Sequence, residues 1–170
     1  NGTGSTDRML DGVLRNAGVS VGLFTSPGLN DFREQVRVDG RKIPKSRLSR
    51  YAEEIAPCID RLRGDDDEPT HFEVLTAVAL RHFSEADVDV AILEVGIGGR
   101  YDATSAVDPV ASAVTSVRLE HTQLLGDTVE EIARGKAQVA PPDAPPLTGS
   151  HGRPLAALRG GPDARPARPD

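Results

Sequence analysis

The chain has 170 residues, enough for one domain with a substantial core, and its 38% hydrophobic and 27% charged content is that of an ordinary water-soluble globular protein. Lys+Arg 20 against Asp+Glu 26 leaves a net charge of -6, which argues against nucleic acid and anionic membrane surfaces as partners, because both require basic patches. The single cysteine, Cys58, excludes an internal disulfide and a Cys-based zinc cluster, and it fits a reducing, cytoplasmic setting.

In chain order, the sequence opens on Asn1 rather than Met, and its first six residues already read as a functional loop, so it is expected to begin within a domain. Ser5 to Ala17 has a helical pattern, with Met9, Val13 and Leu14 assigned to one side. Val19 to Phe24 is a strand, rich in β-branched and apolar residues. Ser46 to Arg63 is a helix carrying Leu48, Ile55, Ile59 and Leu62. Asp65-Asp66-Asp67-Glu68 is a solvated acidic loop. Thr70 to Phe83 is a helix entered through Pro69-Thr70, a capping signal. Val88 to Val95 and Val110 to Val117 are further strands, bounded by Gly, Asp or Pro. Thr128 to Ala137 is a shorter helix with acids in its first turn, where the dipole favours them. From Pro141 the composition shifts to eight prolines with Gly, Ala and Arg, so 141–170 is expected to be an irregular tail beyond a domain at 1–140. There is no apolar run long enough for a membrane span and no signal-peptide pattern.

Strands alternating with helices predict an α/β fold with a mainly parallel sheet flanked by helices. Ligands of such sheets lie beyond the carboxyl ends of the strands. Polar clusters fall there after each predicted strand: Thr25-Ser26-Pro27, Glu94 to Asp102, and Arg118 to Thr122.

Three of these features carry chemistry. Asn1-Gly2-Thr3-Gly4-Ser5-Thr6 runs directly into a helix, so its amides can close around phosphate oxygens at a helix N-terminus. Taken alone, the hexamer fits a Gly/Ser/Thr-rich N-cap better, because position 3 is Thr where a phosphate loop needs lysine. Glu94 ends an apolar strand and is followed by Gly96, Gly98 and Gly99, then Arg100 and Asp102. A strand-end carboxylate that coordinates Mg²⁺ beside a nucleotide accounts for this whole pattern, whereas a tight turn with a solvated acid accounts only for the glycines. His121 follows the third strand and becomes a credible metal contact when set beside Glu94 and Ser26. On local pattern Lys136 is an ordinary helix-surface lysine.

These segments, with Gly22 to Pro27, Phe32-Arg33-Glu34, Val38-Asp39-Gly40, Pro69 to Glu73, Leu119 to Thr122 and Leu125 to Thr128, occur in the order and spacing of folylpolyglutamate synthase/dihydrofolate synthase, within the Mur ligase superfamily. The sequence resembles that family from residue 1 to about Leu158. The resemblance implies the P-loop NTPase-like central domain of an ATP-dependent acid–amino-acid ligase, truncated, with folate biosynthesis and one-carbon metabolism as its setting. In that reaction ATP phosphorylates a folate or dihydropteroate carboxylate, and L-glutamate attacks the acyl phosphate to form an amide. By position, Asn1, Gly2, Gly4, Ser5 and Thr6 belong to the ATP phosphate loop, and Ser26, Glu94 and His121 to the Mg²⁺ contacts. Lys136 aligns with a lysine carried as a carbamate that holds a second Mg²⁺, so His121 and Lys136 are the residues closest to the chemistry. Thr70, Phe72, Asp102 and Ala103 align with residues around the pterin.

The sequence departs from the family pattern at several places. Thr3 replaces the loop lysine, which predicts a rate loss of roughly 10²-fold or more. Gly28 stands for His, Ser105 for Asn, Arg118 and Glu120 for Gly and Asp, and Gly135 and Gln138 for Glu and Gly around Lys136. These departures keep a second reading open, a non-catalytic remnant that at most binds nucleotide.

Overall fold

In the computed structural model, which describes residues 2–28, 30–64, 67–99, 101–140 and 146–148, the packing separates two compact units. One is Gly4–Gly96; the other combines the first three residues with Ile97 onward.

The first unit is built around β1 (Val21–Phe24), whose four residues are all buried. Val21 and Leu23 pack with Ile92, Val19 and Leu14, while Phe24 joins Val36, Ile43, Tyr51, Leu75, Val78, Ala79 and Phe83. Alternate residues of one strand therefore feed two apolar clusters, as the two-residue period requires. Each fully buried side chain of this size contributes roughly 1.5–3 kcal/mol. Gly22 is needed in the strand: a Cβ there would stand 2.7 Å from ring carbons of Phe83.

β1 pairs in parallel with β4 (Val90–Leu93), Phe24 opposite Leu93, and antiparallel with β2 (Val36–Val38), which pairs antiparallel with β3 (Arg41–Lys42). The order is β3-β2-β1-β4. The α/β expectation stands, but the sheet is mixed rather than mainly parallel. The reason is a hairpin at Asp39 and Gly40, with φ of 49° and 76°. An Asp-Gly pair with both residues left-handed is the turn that joins twisted antiparallel strands. The turn is tied down by Asp39, whose carboxylate accepts the Val21 N–H at 2.8 Å.

Three helices accompany the sheet: α1 (Thr3–Asn16), α2 (Lys45–Gly64) and α3 (His71–Ala86). The start of α3 is set by a reciprocal capping box between Thr70 and Glu73, and its end by Asp87 in the left-handed region. On α1 the predicted inner face is wrong in part. Leu14 packs on the core, but Met9 and Val13 are 65% and 66% exposed. The inward face is instead the i, i+4, i+7 row of Asp7, Asp11 and Leu14, in which Asp11 is buried and held by Arg15 through two bonds of 3.0 and 2.9 Å.

The second unit holds a 3-10 turn (Ala103–Ala106), β5 (Ala113–Val114), α4 (Thr122–Leu125), α5 (Val129–Ala137) and β6 (Leu147–Thr148). β5 is shorter than expected, and Val110, placed in that strand from the sequence, is almost fully exposed. β6 lies in the stretch read as irregular and pairs in parallel with β5. The proline count of that stretch concealed the two residues that pair. α5 begins at a second capping box, Thr128 with Glu131, and buries Ile132 and Ala133.

Candidate functional site

The register of the parallel pair decides the site in the first unit. Phe24 and Leu93 stand opposite each other, and the Glu94 N–H donates to the Phe24 carbonyl at 2.9 Å. Both strands therefore end at the same level, and Ser26 and Glu94 emerge at one sheet end, where open α/β sheets place ligands. The Ser26 N–H donates to Glu94 Oε2 at 2.8 Å. The same carboxylate lies against the first turn of α1: a Cβ on Gly4 would stand 3.6 Å from each of its oxygens. The loop residues Gly4, Ser5 and Thr6 are thus already helical, Ser5 and Thr6 exposed. The N–H groups of Gly4 and Ser5 belong to the helix start, whose first amides lack intrahelical acceptors and favour an anion. Gly2 is in the left-handed region, with φ of 83°.

Asp7, one turn along the same helix, was not singled out from the sequence. Burial, and then the neighbouring charge of Glu94, push its carboxyl up from 3.8 to about 6. Its Oδ2 is buried and has no hydrogen-bond partner among the described residues. The signal for it lay in helical spacing, since Asp7 follows Thr3 and Gly4 by four and three positions. The carboxylates of Asp7 and Glu94 and the hydroxyl of Ser26 are oxygen donors of the kind that suits magnesium. Among the described residues, no three His, Cys, Asp or Glu side chains gather into a metal-holding group.

His121 and Lys136 lie in the second unit. His121 is exposed, takes the left-handed conformation with φ of 49°, and begins α4 without a side-chain cap. Lys136 Nζ donates to Glu120 Oε1 at 2.6 Å in a half-buried pair, and this ammonium holds the Glu120 carboxyl below its usual range. Carbamate formation at Lys136 would have to release that partner, a contact that no local spacing in the sequence announces. Gly99 approaches α5 closely: its Cβ would meet the Gly135 carbonyl at 2.9 Å and the Lys136 carbonyl at 3.0 Å. That contact explains why glycine closes the Gly96-Ile97-Gly98-Gly99 run.

The residues aligned with a pterin subsite are engaged locally. Thr70 caps α3, and its own hydroxyl donates to Glu73 at 2.7 Å. Phe72 stacks on Phe24 at 5.4 Å. Asp102 accepts from the Thr104 hydroxyl at 2.6 Å and N–H at 3.0 Å and from the Ile97 N–H at 3.1 Å, capping the turn that begins at Ala103. At Gly28, where the family pattern has His, a Cβ would stand 2.9 Å from the Asp31 carbonyl, so this loop has closed over the space a side chain needs. Asn1, Asp65, Asp66, Arg100 and most of the tail fall outside the described residues. No helix among the described residues is long and apolar enough to cross a membrane.

No protein-family profile matches the chain. Individual relatives do. A probable bifunctional folylpolyglutamate synthase/dihydropteroate synthase of Haloferax volcanii is 60% identical over 159 residues, which are 94% of this chain and 19% of that protein. The dihydrofolate synthase/folylpolyglutamate synthase of Escherichia coli is 43% identical over 150 residues, 88% of this chain and 34% of that protein. Among solved structures, an FPGS-AMPPCP complex superposes with a TM-score of 0.86 at 38% identity, over 93% of this chain and 40% of the other. E. coli FolC in complex with DHPP and ADP gives 0.82 at 41% identity, over 93% and 37%. The chain spans between about a fifth and just over a third of the length of the curated relatives it matches. Over the residues it spans, sequence and fold together place the chain in the folylpolyglutamate synthase/dihydrofolate synthase family, with the Mur ligase fold.

Proposed function

We propose that the chain supplies the nucleotide site of an ATP-dependent ligation of L-glutamate to a folate or dihydropteroate carboxylate, in the cytoplasm. The observation that carries this reading is the joining of three elements in one unit. The strand-end acid Glu94 lies against Gly4 at the start of α1, and it accepts the Ser26 amide. The helix start offers N–H groups to phosphate oxygens. Glu94 and Ser26 are the oxygen donors that would hold magnesium, which would supply charge neutralisation for the phosphates there. In the reaction the acceptor carboxylate attacks the γ-phosphorus, ADP leaves, and an acyl phosphate forms. The amine of glutamate then attacks the acyl carbon and loses a proton, and inorganic phosphate leaves. Positioning and charge neutralisation carry both steps. His121 and Lys136, in the second unit, keep the magnesium-contact roles that the resemblance implies, each as a proposal.

Thermal stabilisation by Mg-ADP tests the nucleotide site on the chain itself. Millimolar Mg-ADP is expected to raise the melting temperature of the wild type, and Glu94→Gln to abolish the rise. A wild type indifferent to Mg-ADP, or a Glu94→Gln variant that responds equally, sinks the reading. His121→Ala and Lys136→Ala read out in the same assay.

Thr3 favours a second reading, a non-catalytic protein that binds nucleotide. Its hydroxyl lies 3.5 Å from that of Thr115, and no ammonium comes from this position. Thr3→Lys restores the missing charge and is expected to tighten Mg-ADP binding by roughly tenfold, the worth of one charge-assisted contact. A gain in binding without folate- and glutamate-dependent ATP turnover favours the second reading.

A further inference from the structure

We propose that Asp7 is a further carboxylate ligand of the divalent cation at Glu94, giving this chain a two-carboxylate cation site that fills without nucleotide. The proposal rests on the reading of Glu94 and Ser26 as magnesium donors, and it adds a residue to which the family resemblance assigns no role.

The helical phase of α1 turns Asp7 inward, on the row that it shares with buried Asp11 and with Leu14. The two inward acids differ in one respect. Asp11 is matched by the Arg15 guanidinium on both its oxygens, but Asp7 Oδ2 has no donor among the described residues and is shut off from solvent. A buried carboxylate oxygen without a donor is costly, and Asp7 follows by three positions on the same helix Gly4, whose Cβ would stand 3.6 Å from the oxygens of the like-charged Glu94. A divalent cation shared by the two carboxylates satisfies the oxygen and replaces repulsion with attraction. The donor set of carboxylates and a hydroxyl suits a hard ion. The loop position that would otherwise bring a lysine carries Thr3, so the sequence supplies no competing ammonium there.

Manganese serves as the probe, titrated into the nucleotide-free protein and read by electron paramagnetic resonance, for wild type, Asp7→Asn and Glu94→Gln. Wild type is expected to bind one ion, and Asp7→Asn to bind it at least tenfold more weakly while keeping its far-UV circular dichroism. Asp7→Ala serves as a second variant and should lose affinity to a similar degree. If Glu94→Gln loses the ion and Asp7→Asn binds as wild type or more tightly, Asp7 holds a proton rather than a cation. That result overturns the inference and leaves the proposed nucleotide site intact. If neither substitution changes binding, both the inference and the assignment of Glu94 fall. A nucleotide-free wild type that binds no manganese overturns the inference by itself.

Discussion

Asp7→Asn has a second consequence, in the stability of the cation-free protein, and its size follows from the site. The carboxyl rises from 3.8 to about 6 on folding. Below its unfolded value Asp7 is largely protonated whether the chain is folded or not, and its burial costs little. Between about pH 4 and 6 the folded chain still holds a proton that the unfolded chain has released, so stability falls as pH rises. Above 6 the full penalty of the buried, repelled carboxylate is present. A rise of that size corresponds nominally to about 3 kcal/mol, but Asp7 is only half-buried, and solvent screening reduces this to about 1 kcal/mol. Asparagine keeps the shape and cannot ionise, so Asp7→Asn is expected to stabilise the protein by about 1 kcal/mol at about pH 7.5, or roughly 2–4 °C in Tm. At about pH 4 it should have almost no effect. Thermal melts with a chelator at the two pH values measure this, and adding millimolar magnesium at the higher pH should shrink or reverse the gain. A variant that is less stable than wild type at the higher pH with the chelator, or one equally stabilised at both pH values, refutes the reasoning.

Gly22→Ala should destabilise the first unit by roughly 1–3 kcal/mol, since its Cβ would meet the Phe83 ring at 2.7 Å and the core must shift; chemical denaturation reads this, and a neutral result would mean that the ring has room to move. Lys136→Gln should let the Glu120 carboxyl return toward its ordinary range, because the Lys136 ammonium is the main group holding it down. An NMR titration of the Glu120 side chain reports that change, and an unmoved titration would place the cause elsewhere.

Much of the fold was legible along the chain because local signals agreed with the tertiary outcome. Thr70 with Glu73 and Thr128 with Glu131 have capping-box spacing, and both boxes form. The apolar runs ending at Phe24 and Val95 became the parallel pair β1 and β4, shorter by two residues at each extended end. Glu94 was recognisable because an acid closing an apolar strand before a glycine run is costly without a partner. The hairpin at Asp39-Gly40 was missed although its turn signal is in the sequence. With strands of three and two residues, the flanking alternation is too short to outweigh the helices around it.

What the sequence by itself determined is where helices α3 and α5 begin and which acid stands at the strand end. These depend on groups within a few positions of one another. Only the tertiary structure decided which face of α1 turns inward, that Asp7 meets the charge of Glu94, and that Lys136 pairs with Glu120. The physical reason is that helix α1 carries Met9 and Val13 on one side and Asp7 and Asp11 on another, and spacing does not rank them. The choice falls to packing, where Leu14 against the β1 and β4 cluster, with Asp11 neutralised by Arg15, carries the acidic row in and leaves Met9 and Val13 to solvent.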